Sequence, residues 1–288
     1  MKYVFIINPI SGGGRGLKMY NRIKNICEIE KLDYDIHLTK QKNDATDIAK
    51  KYKRDSCIIY SVGGDGTLNE VLNGIIGTKN MLGIIPCGCG NDFYRVIKDR
   101  QDTLFKIDIG KLNKVYFINV ASIGIDAEVG DNVKIMKKKH IPSSLIYKSS
   151  IVYTFFTFKF KEIEFILNNT LKKGEYTIIT ICNGSYYGGG YCIGPSARID
   201  DGKFDIYFVD KISKLQIPKM LNKLKSTTHE ESPHVHKRIS DSIKIISKKE
   251  IICNYDGESI IDKKFSISLL PDEVTIYNNK QLVKKIMN

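Results

Sequence analysis

One segment of the chain combines glycines with an acid in a way that suits phosphate chemistry: Ser61-Val62-Gly63-Gly64-Asp65-Gly66-Thr67-Leu68-Asn69-Glu70. It follows an apolar run and precedes a helical stretch. Glycine at 63, 64 and 66 permits positive φ and lets backbone N–H groups approach a ligand closely. A helix opening behind such a turn presents unpaired N–H groups and the positive end of its dipole to an anion. Asp65 in the turn suits Mg²⁺, which takes one or two carboxylates together with phosphate oxygens. Thr67 reads as the cap of a helix starting at Leu68, with Glu70 closing an S/T-x-x-E capping box. The alternative is a plain strand-to-helix turn. Three glycines and an acid in this setting favour the phosphate reading.

Two further glycine loops share the pattern. Asn8-Pro9-Ile10-Ser11-Gly12-Gly13-Gly14-Arg15-Gly16 follows the first apolar run. Ser11 and the glycine amides could meet an anion, although no Gly-Lys-Ser/Thr triplet makes this a Walker loop. Pro86-Cys87-Gly88-Cys89-Gly90-Asn91-Asp92-Phe93 opens another helix. In the second half, Asp200-Asp201-Gly202 reads equally as a hairpin turn or a metal site. Asn254-Tyr255-Asp256-Gly257-Glu258 reads as a turn or as a carboxylate pair, one on metal and one a general base.

The elements that must position these loops change character along the chain. Strands are expected at Lys2–Ile7, Asp33–Leu38, Cys57–Val62 and Met81–Ile85, alternating with helices at Gly16–Ile29, Asp44–Tyr52 and Leu68–Ile76. That alternation predicts right-handed βαβ units and a mostly parallel sheet, with the three loops on its C-terminal edge. From about Lys111 short strands dominate: Tyr116–Ile123, Glu162–Leu167, Tyr176–Cys182, Phe204–Val209, Ser242–Ser247, Ile251–Tyr255, Ser266–Ser268 and Glu273–Tyr277. Helices are expected near Leu145–Phe156 and Leu215–Lys223. The expectation is an α/β N-terminal domain, residues 1–110 with 275–288 returning to it, and a β-rich, sandwich-like domain over 111–274. The site falls in the cleft between them.

Composition narrows the partners. The 288 residues carry a formal net charge of +13, concentrated in residues 131–173 and 211–249. A basic surface attracts nucleic acid, anionic membrane or anionic substrates. Lys outnumbers Arg 38 to 7, which reads as compositional drift, and no aromatic-basic stacking motif speaks for RNA. The seven cysteines form neither a zinc pattern nor a disulfide framework and read as free thiols of a reducing compartment. The start of the chain reads as cytosolic. His229, His234 and His236 read as a solvated loop in preference to a metal site. Residues 134–161 combine Lys134, Lys137, Lys138, Lys139 and Lys148 with Ile151, Val152, Tyr153, Phe155, Phe156, Phe158 and Phe160. That stretch is either a membrane-facing segment or core beside a solvated lysine loop.

Together these motifs resemble the diacylglycerol kinase catalytic-domain family, in particular its small soluble bacterial lipid kinases. The carriers are N-P-x-S-G at Asn8–Gly12, G-G-D-G-T-x-N-E at Gly63–Glu70, P-x-G-x-x-N-D-F at Pro86–Phe93 and Asp108-Ile109-Gly110. They continue with N-G-x-x-x-G-G-G at Asn183–Gly190, P-x-A-x-x-D-D-G at Pro195–Gly202 and D-G-E at Asp256–Glu258. All seven stand in family order. The resemblance implies ATP-dependent phosphorylation of a lipid hydroxyl. ATP would be held by Asn8, Pro9, Ser11, Gly12, Thr39, Gly64, Asp65, Gly66, Thr67, Asn69, Glu70 and the loop at Cys89. Glu258 would be the general base. Asp65, Asp92, Asp108 and Asp256 would form an acidic network with Mg²⁺ and water, with Asp65 and Asp256 serving catalysis. Asp201, with the carbonyls of Arg198 and Lys203, would bind a second, structural Mg²⁺. Cys89 stands where the family has Thr, and a thiol is a weaker donor than a hydroxyl. The expected partners are ATP and a lipid at a membrane surface, without nucleic acid, and a homodimer is one arrangement left open. The expected location is the cytoplasm, with peripheral association at the inner face of the membrane. Competing readings are an NAD kinase-like small-molecule kinase and a non-catalytic lipid or nucleotide sensor of the same fold.

Overall fold

Apolar runs without polar alternation demand strands buried on both faces, and the N-terminal half has three of them. The computed structural model describes residues 1–137 and 143–288, with the side chains of 134, 135, 137 and 143–148 outside the description. Strands β1 (Tyr3–Ile7), β2 (Tyr34–Leu38), β3 (Ile58–Gly63) and β4 (Met81–Pro86) pair in parallel in the order β4-β3-β1-β2. Helices α1 (Ser11–Ile29), α2 (Asp44–Lys51), α3 (Asp65–Ile75) and α4 (Asp92–Ile97) follow them in turn. One sheet face packs on Met19, Ile23 and Cys27 of α1. The other packs on Ala45 and Ala49 of α2 and Leu68, Val71, Leu72 and Ile75 of α3. The register sets Ile7 beside Val62, and Gly63 beside Pro86. The three glycine loops therefore leave the sheet at one level.

The second half is strand-rich. It contains β5 (Leu104–Leu112), β6 (Val115–Phe117), β7 (Val120–Gly124), α5 (Ile125–Lys137), α6 (Ser143–Thr157), β8 (Glu162–Leu167) and β9 (Thr170–Cys182). Then come β10 (Tyr186–Tyr187), β11 (Tyr191–Cys192), β12 (Phe204–Asp210), α7 (Ile217–Lys225), β13 (Val235–Ser240), β14 (Ser242–Tyr255), β15 (Glu258–Tyr277) and α8 (Lys280–Met287). Phe117, Phe165, Phe204, Phe208 and Phe265 lead the apolar core of this sandwich-like half. β15 joins the halves: it pairs antiparallel with β14 and β5, and its far end pairs in parallel with β4 at Ile276–Leu82. Leu282, Val283 and Ile286 of α8 then complete the cluster under α1.

Several local expectations change. The strand expected at Tyr116–Ile123 is two, because the Asp256 carboxylate takes the N–H groups of Ile118 and Asn119 at the break. The pairs expected at 242–255 and 266–277 are each part of one long strand, interrupted only by register shifts at Ile246/Ile251 and Leu270/Val274. α3 starts at Asp65, not Leu68, and has no side-chain cap, so the Thr67–Glu70 capping box does not form. His229 is buried beside Tyr207 and bonds the Ile193 carbonyl, so that histidine is core and not solvated loop. All seven cysteines are free thiols.

Candidate active site

The first loop is built on glycine. Gly12, Gly13 and Gly14 have φ of 59°, 71° and 94°, and a Cβ on Gly12 would stand 2.1 Å from the Cys87 carbonyl oxygen. Only glycine satisfies both the left-handed backbone and that approach. Asn8 ties this loop to the next, its side-chain amide donating to the Thr67 hydroxyl at 3.2 Å. Arg15 donates to the Gly88 carbonyl at 2.8 Å and to that of Gly12 at 3.2 Å. Its charge therefore pins the first loop to the third.

Asp65 fastens the second loop to the third. Its Oδ1 accepts from the backbone N–H of Asp92 at 2.7 Å and of Phe93 at 3.4 Å, at the start of α4. Burial, and then the neighbouring Asp92 charge, raise its pKa above the usual 3.8. Asp92 Oδ2 accepts from Gly189 at 2.8 Å, which brings the glycine turn before β11 to the same place. Asp92 Oδ1 is buried with no hydrogen-bond partner.

Two cavities open here. The first, of about 330 Å³, is lined by Asn8, Pro9, Thr39, Gly66, Thr67, Glu70 and Glu258, with Lys40, Gln41 and Lys42 from the β2–α2 turn. Ser11, Gly12, Gly64, Asn69 and Cys89 do not line it. The second, of about 310 Å³, has apolar walls from Leu68, Phe93, Val120, Val129 and Val133, and carries Asp65, Asp92, Asp126 and Asp256. Neighbouring residues divide between the two, Asp65 and Leu68 against Gly66 and Thr67, and Gly257 against Glu258, so the cavities share a wall.

Other motif acids hold backbone. Asp256, at φ 46°, accepts from Ile118, Asn119 and Val120 N–H and from the Asn69 amide, at 2.7 to 3.2 Å. Burial outweighs these donors and lifts its pKa from 3.8 to about 6. Asp108, 2% exposed, accepts from Gly202 N–H at 2.7 Å and Asp272 N–H at 2.9 Å. Glu70 accepts from Asn43 at 3.0 Å and Ala45 at 3.2 Å, at the start of α2. Asp201 is exposed on the turn before β12, its Oδ1 accepting from Lys203 N–H at 3.1 Å. Arg198 beside it pairs with Asp200 at 3.3 Å. Among the described residues no three His, Cys, Asp or Glu gather as a metal cluster.

Sequence reading passed over Asp126 and Lys42. Asp126 lies in the second cavity and accepts from the Tyr187 hydroxyl at 3.0 Å. The sign was present: Gly124-Ile125-Asp126 repeats the strand, glycine and acid order of Gly63 to Asp65. Lys42 lies 2.5 Å from Glu258, and nothing in its sequence surroundings marks it.

A family model described as the diacylglycerol kinase catalytic domain matches residues 2–120, and a C-terminal NAD kinase beta sandwich-like domain model, that of YegS, matches 119–278. The chain belongs to the diacylglycerol kinase family. A diacylglycerol kinase of Staphylococcus haemolyticus is 30% identical over 271 residues, covering 88% of this chain and 81% of that one. One of Bacillus subtilis is 28% identical over 268 residues, covering 88% of each. A solved Bacillus anthracis structure, provisionally described as a diacylglycerol kinase, superposes with a TM-score of 0.76 at 26% identity, covering 98% of this chain and 96% of that one. As a member of the diacylglycerol kinase family, the chain is a lipid kinase, an enzyme of phosphoryl transfer.

Proposed function

We propose that this enzyme transfers the γ-phosphoryl group of Mg²⁺-bound ATP to a hydroxyl of diacylglycerol or a related membrane lipid, with Glu258 as general base. One observation carries the reading. Glu258, from the C-terminal half, lines the same cavity as Asn8, Pro9, Thr39, Gly66, Thr67 and Glu70, six of the residues expected to hold ATP. The apolar-walled cavity across the shared wall suits the lipid, its head towards Asp65 and its first methylenes against Leu68, Phe93 and Val129. Asp256 acts as a positioning residue, since its acceptors are filled by the chain itself.

Asp65 and Asp92 fit a divalent cation. Asp92 Oδ1 accepts no hydrogen bond and has only the Arg95 guanidinium, 3.7 Å away, to balance it, and the Asp92 charge disfavours an ionised Asp65 beyond the effect of burial, so a shared cation would answer both. When bound, Mg²⁺ would neutralise charge on the transferring phosphoryl group. Glu258 would take the hydroxyl proton as the lipid oxygen bonds to phosphorus and the bond to the ADP oxygen breaks. Such help is typically worth about 10²–10⁴ in rate. Glu258→Gln should therefore lower turnover of labelled ATP on a short-chain diacylglycerol by about that factor while ATP still binds. Turnover like the parent's would remove Glu258 from the role, and phosphorylated NAD⁺ as the product would overturn the lipid acceptor.

Asp201 with the carbonyls of Arg198 and Lys203 would supply all-oxygen ligands of the kind a structural Mg²⁺ takes. Asp201→Ala should lower the melting temperature in Mg²⁺ and blunt its response to added Mg²⁺. Unchanged melting in both conditions would dismiss that site. The nucleotide unit in this reading is residues 1–110 with 275–288, and the lipid-facing unit is 111–274. The enzyme works from the cytoplasm at the inner face of the membrane.

A further inference from the structure

One ion pair crosses the proposed nucleotide cavity. Lys42 Nζ lies 2.5 Å from Glu258 Oε2. Lys42 sits on the turn between β2 and α2, and Glu258 opens β15, so the pair joins the two halves of the chain. Its side chains are 63% and 28% exposed, so the pair stays wet. An exposed pair is worth only about 0–1 kcal/mol. The backbone under Lys42 is fixed independently of it. Asp44 accepts from Lys40 and Gln41, and Glu70 from Asn43 and Ala45. The Lys42 side chain can therefore change partner without moving its loop.

We propose that Lys42 is an exchangeable latch on the base: it holds Glu258 while the cavity lacks nucleotide, and the triphosphate draws it away. This rests on the nucleotide and base reading above. Lysine is a compact charge on a flexible stem, well suited to meeting phosphate from more than one position. A triphosphate offers several negative charges where Glu258 offers one. Once Lys42 turns to the phosphates, the Glu258 carboxylate loses its cation and stands free to accept the lipid hydroxyl proton. Lys42 is thus a nucleotide-contacting residue and, through Glu258, a positioning residue. The consequence is order: a lipid arriving first meets a base already paired.

The test is a double-mutant cycle on nucleotide binding, read by calorimetry with the β,γ-imido analogue of ATP and Mg²⁺. Glu258→Gln should bind the analogue about two- to five-fold more tightly than the parent, because Lys42 is released without breaking a pair. Lys42→Met should bind it more weakly, and Lys42→Arg should restore most of the loss. Removing a carboxylate beside phosphates would tighten binding by lost repulsion alone, so the double variant decides. Under the latch, Lys42→Met/Glu258→Gln binds like Lys42→Met alone. Tightening by the same factor in both backgrounds, or none in either, overturns the latch and leaves the nucleotide reading intact. Absence of any binding by the parent would overturn the nucleotide reading and the latch with it.

Discussion

Asp256 gives both carboxylate oxygens to the strand junction at Ile118–Val120 and to the Asn69 amide. Glu258, two residues on, faces an open cavity. A motif such as D-G-E states that both acids are present; it does not state which one the chain uses for itself. The same holds for Asp108 and Glu70, whose acceptors meet backbone N–H groups, against Asp92, whose Oδ1 accepts no hydrogen bond and meets only the Arg95 guanidinium at 3.7 Å. The distinction depends on which backbone N–H groups the fold leaves unpaired nearby, and no local spacing encodes that. Asp256 makes a testable case. Burial raises its pKa from 3.8 to about 6, so the folded chain binds that proton more tightly than the unfolded chain. Between those values its contribution to stability is present at the acid end and lost as pH rises. Urea unfolding of the parent and of Asp256→Asn, compared from pH 4 to 7, should show the parent's relative stability falling as pH rises. A rise instead would mean that the four donors outweigh burial.

Helix α2 is only eight residues long, and Glu70 of α3 supplies acceptors for N–H groups at its start. Short helices need such caps because their first N–H groups have no partner within the helix. Here the cap comes from the helix of the next βα unit. Thr46 returns a bond to the Glu70 carbonyl at 2.7 Å, so α2 and α3 are locked together. The turn bearing Thr39 and Lys42 hangs from this lock. Glu70→Ala should cost about 0.5–2 kcal/mol of unfolding free energy, the range for a lost cap. It should also weaken ATP binding, because the turn loses its anchor. Weakened binding with unchanged stability would instead place Glu70 on the nucleotide itself. The sequence made the βα alternation plain, because three apolar runs and the alternating segment Tyr34–Leu38, separated by helical stretches, admit few other arrangements. It did not reveal β5 or α5, where apolar and charged residues mix, nor that β15 runs unbroken across both halves. Long-range pairing decides those, through Ile276 on Leu82 and Leu269 on Gly110.

At the scale of the whole molecule, the proposed action on a membrane lipid requires a surface that meets the bilayer. Among the described residues no helix is long and apolar enough to cross a membrane. The aromatic stretch at 134–161 divides in two. Phe158 is buried, and Phe155 and Phe160 pack with it against Ile212 and Ile217. Val152, Tyr153 and Phe156 face outward, Phe156 with 74% exposure. Lys214 donates to the Phe156 carbonyl at 3.2 Å, which sets Leu215, 86% exposed, near the same surface. Lys138 and Lys139 lie outside the described residues, and so do the side chains of Lys134, Lys137 and Lys148. The testable surface is therefore the outward part of α6 with the turn at Lys214–Gln216. Apolar side chains there would enter the headgroup layer, while nearby lysines would draw the protein to anionic lipid. Phe156→Ser with Leu215→Ser should leave the melting temperature near the parent's, since neither side chain is in the core. Binding to vesicles containing anionic lipid should fall, and so should activity on vesicles, with activity on a soluble short-chain acceptor preserved. Raising salt should weaken the parent's vesicle binding, because attraction to the surface is screened within about 8 Å at physiological ionic strength. Equal loss on soluble and vesicular substrate would place these residues in the catalytic fold, and the docking face would have to be sought elsewhere.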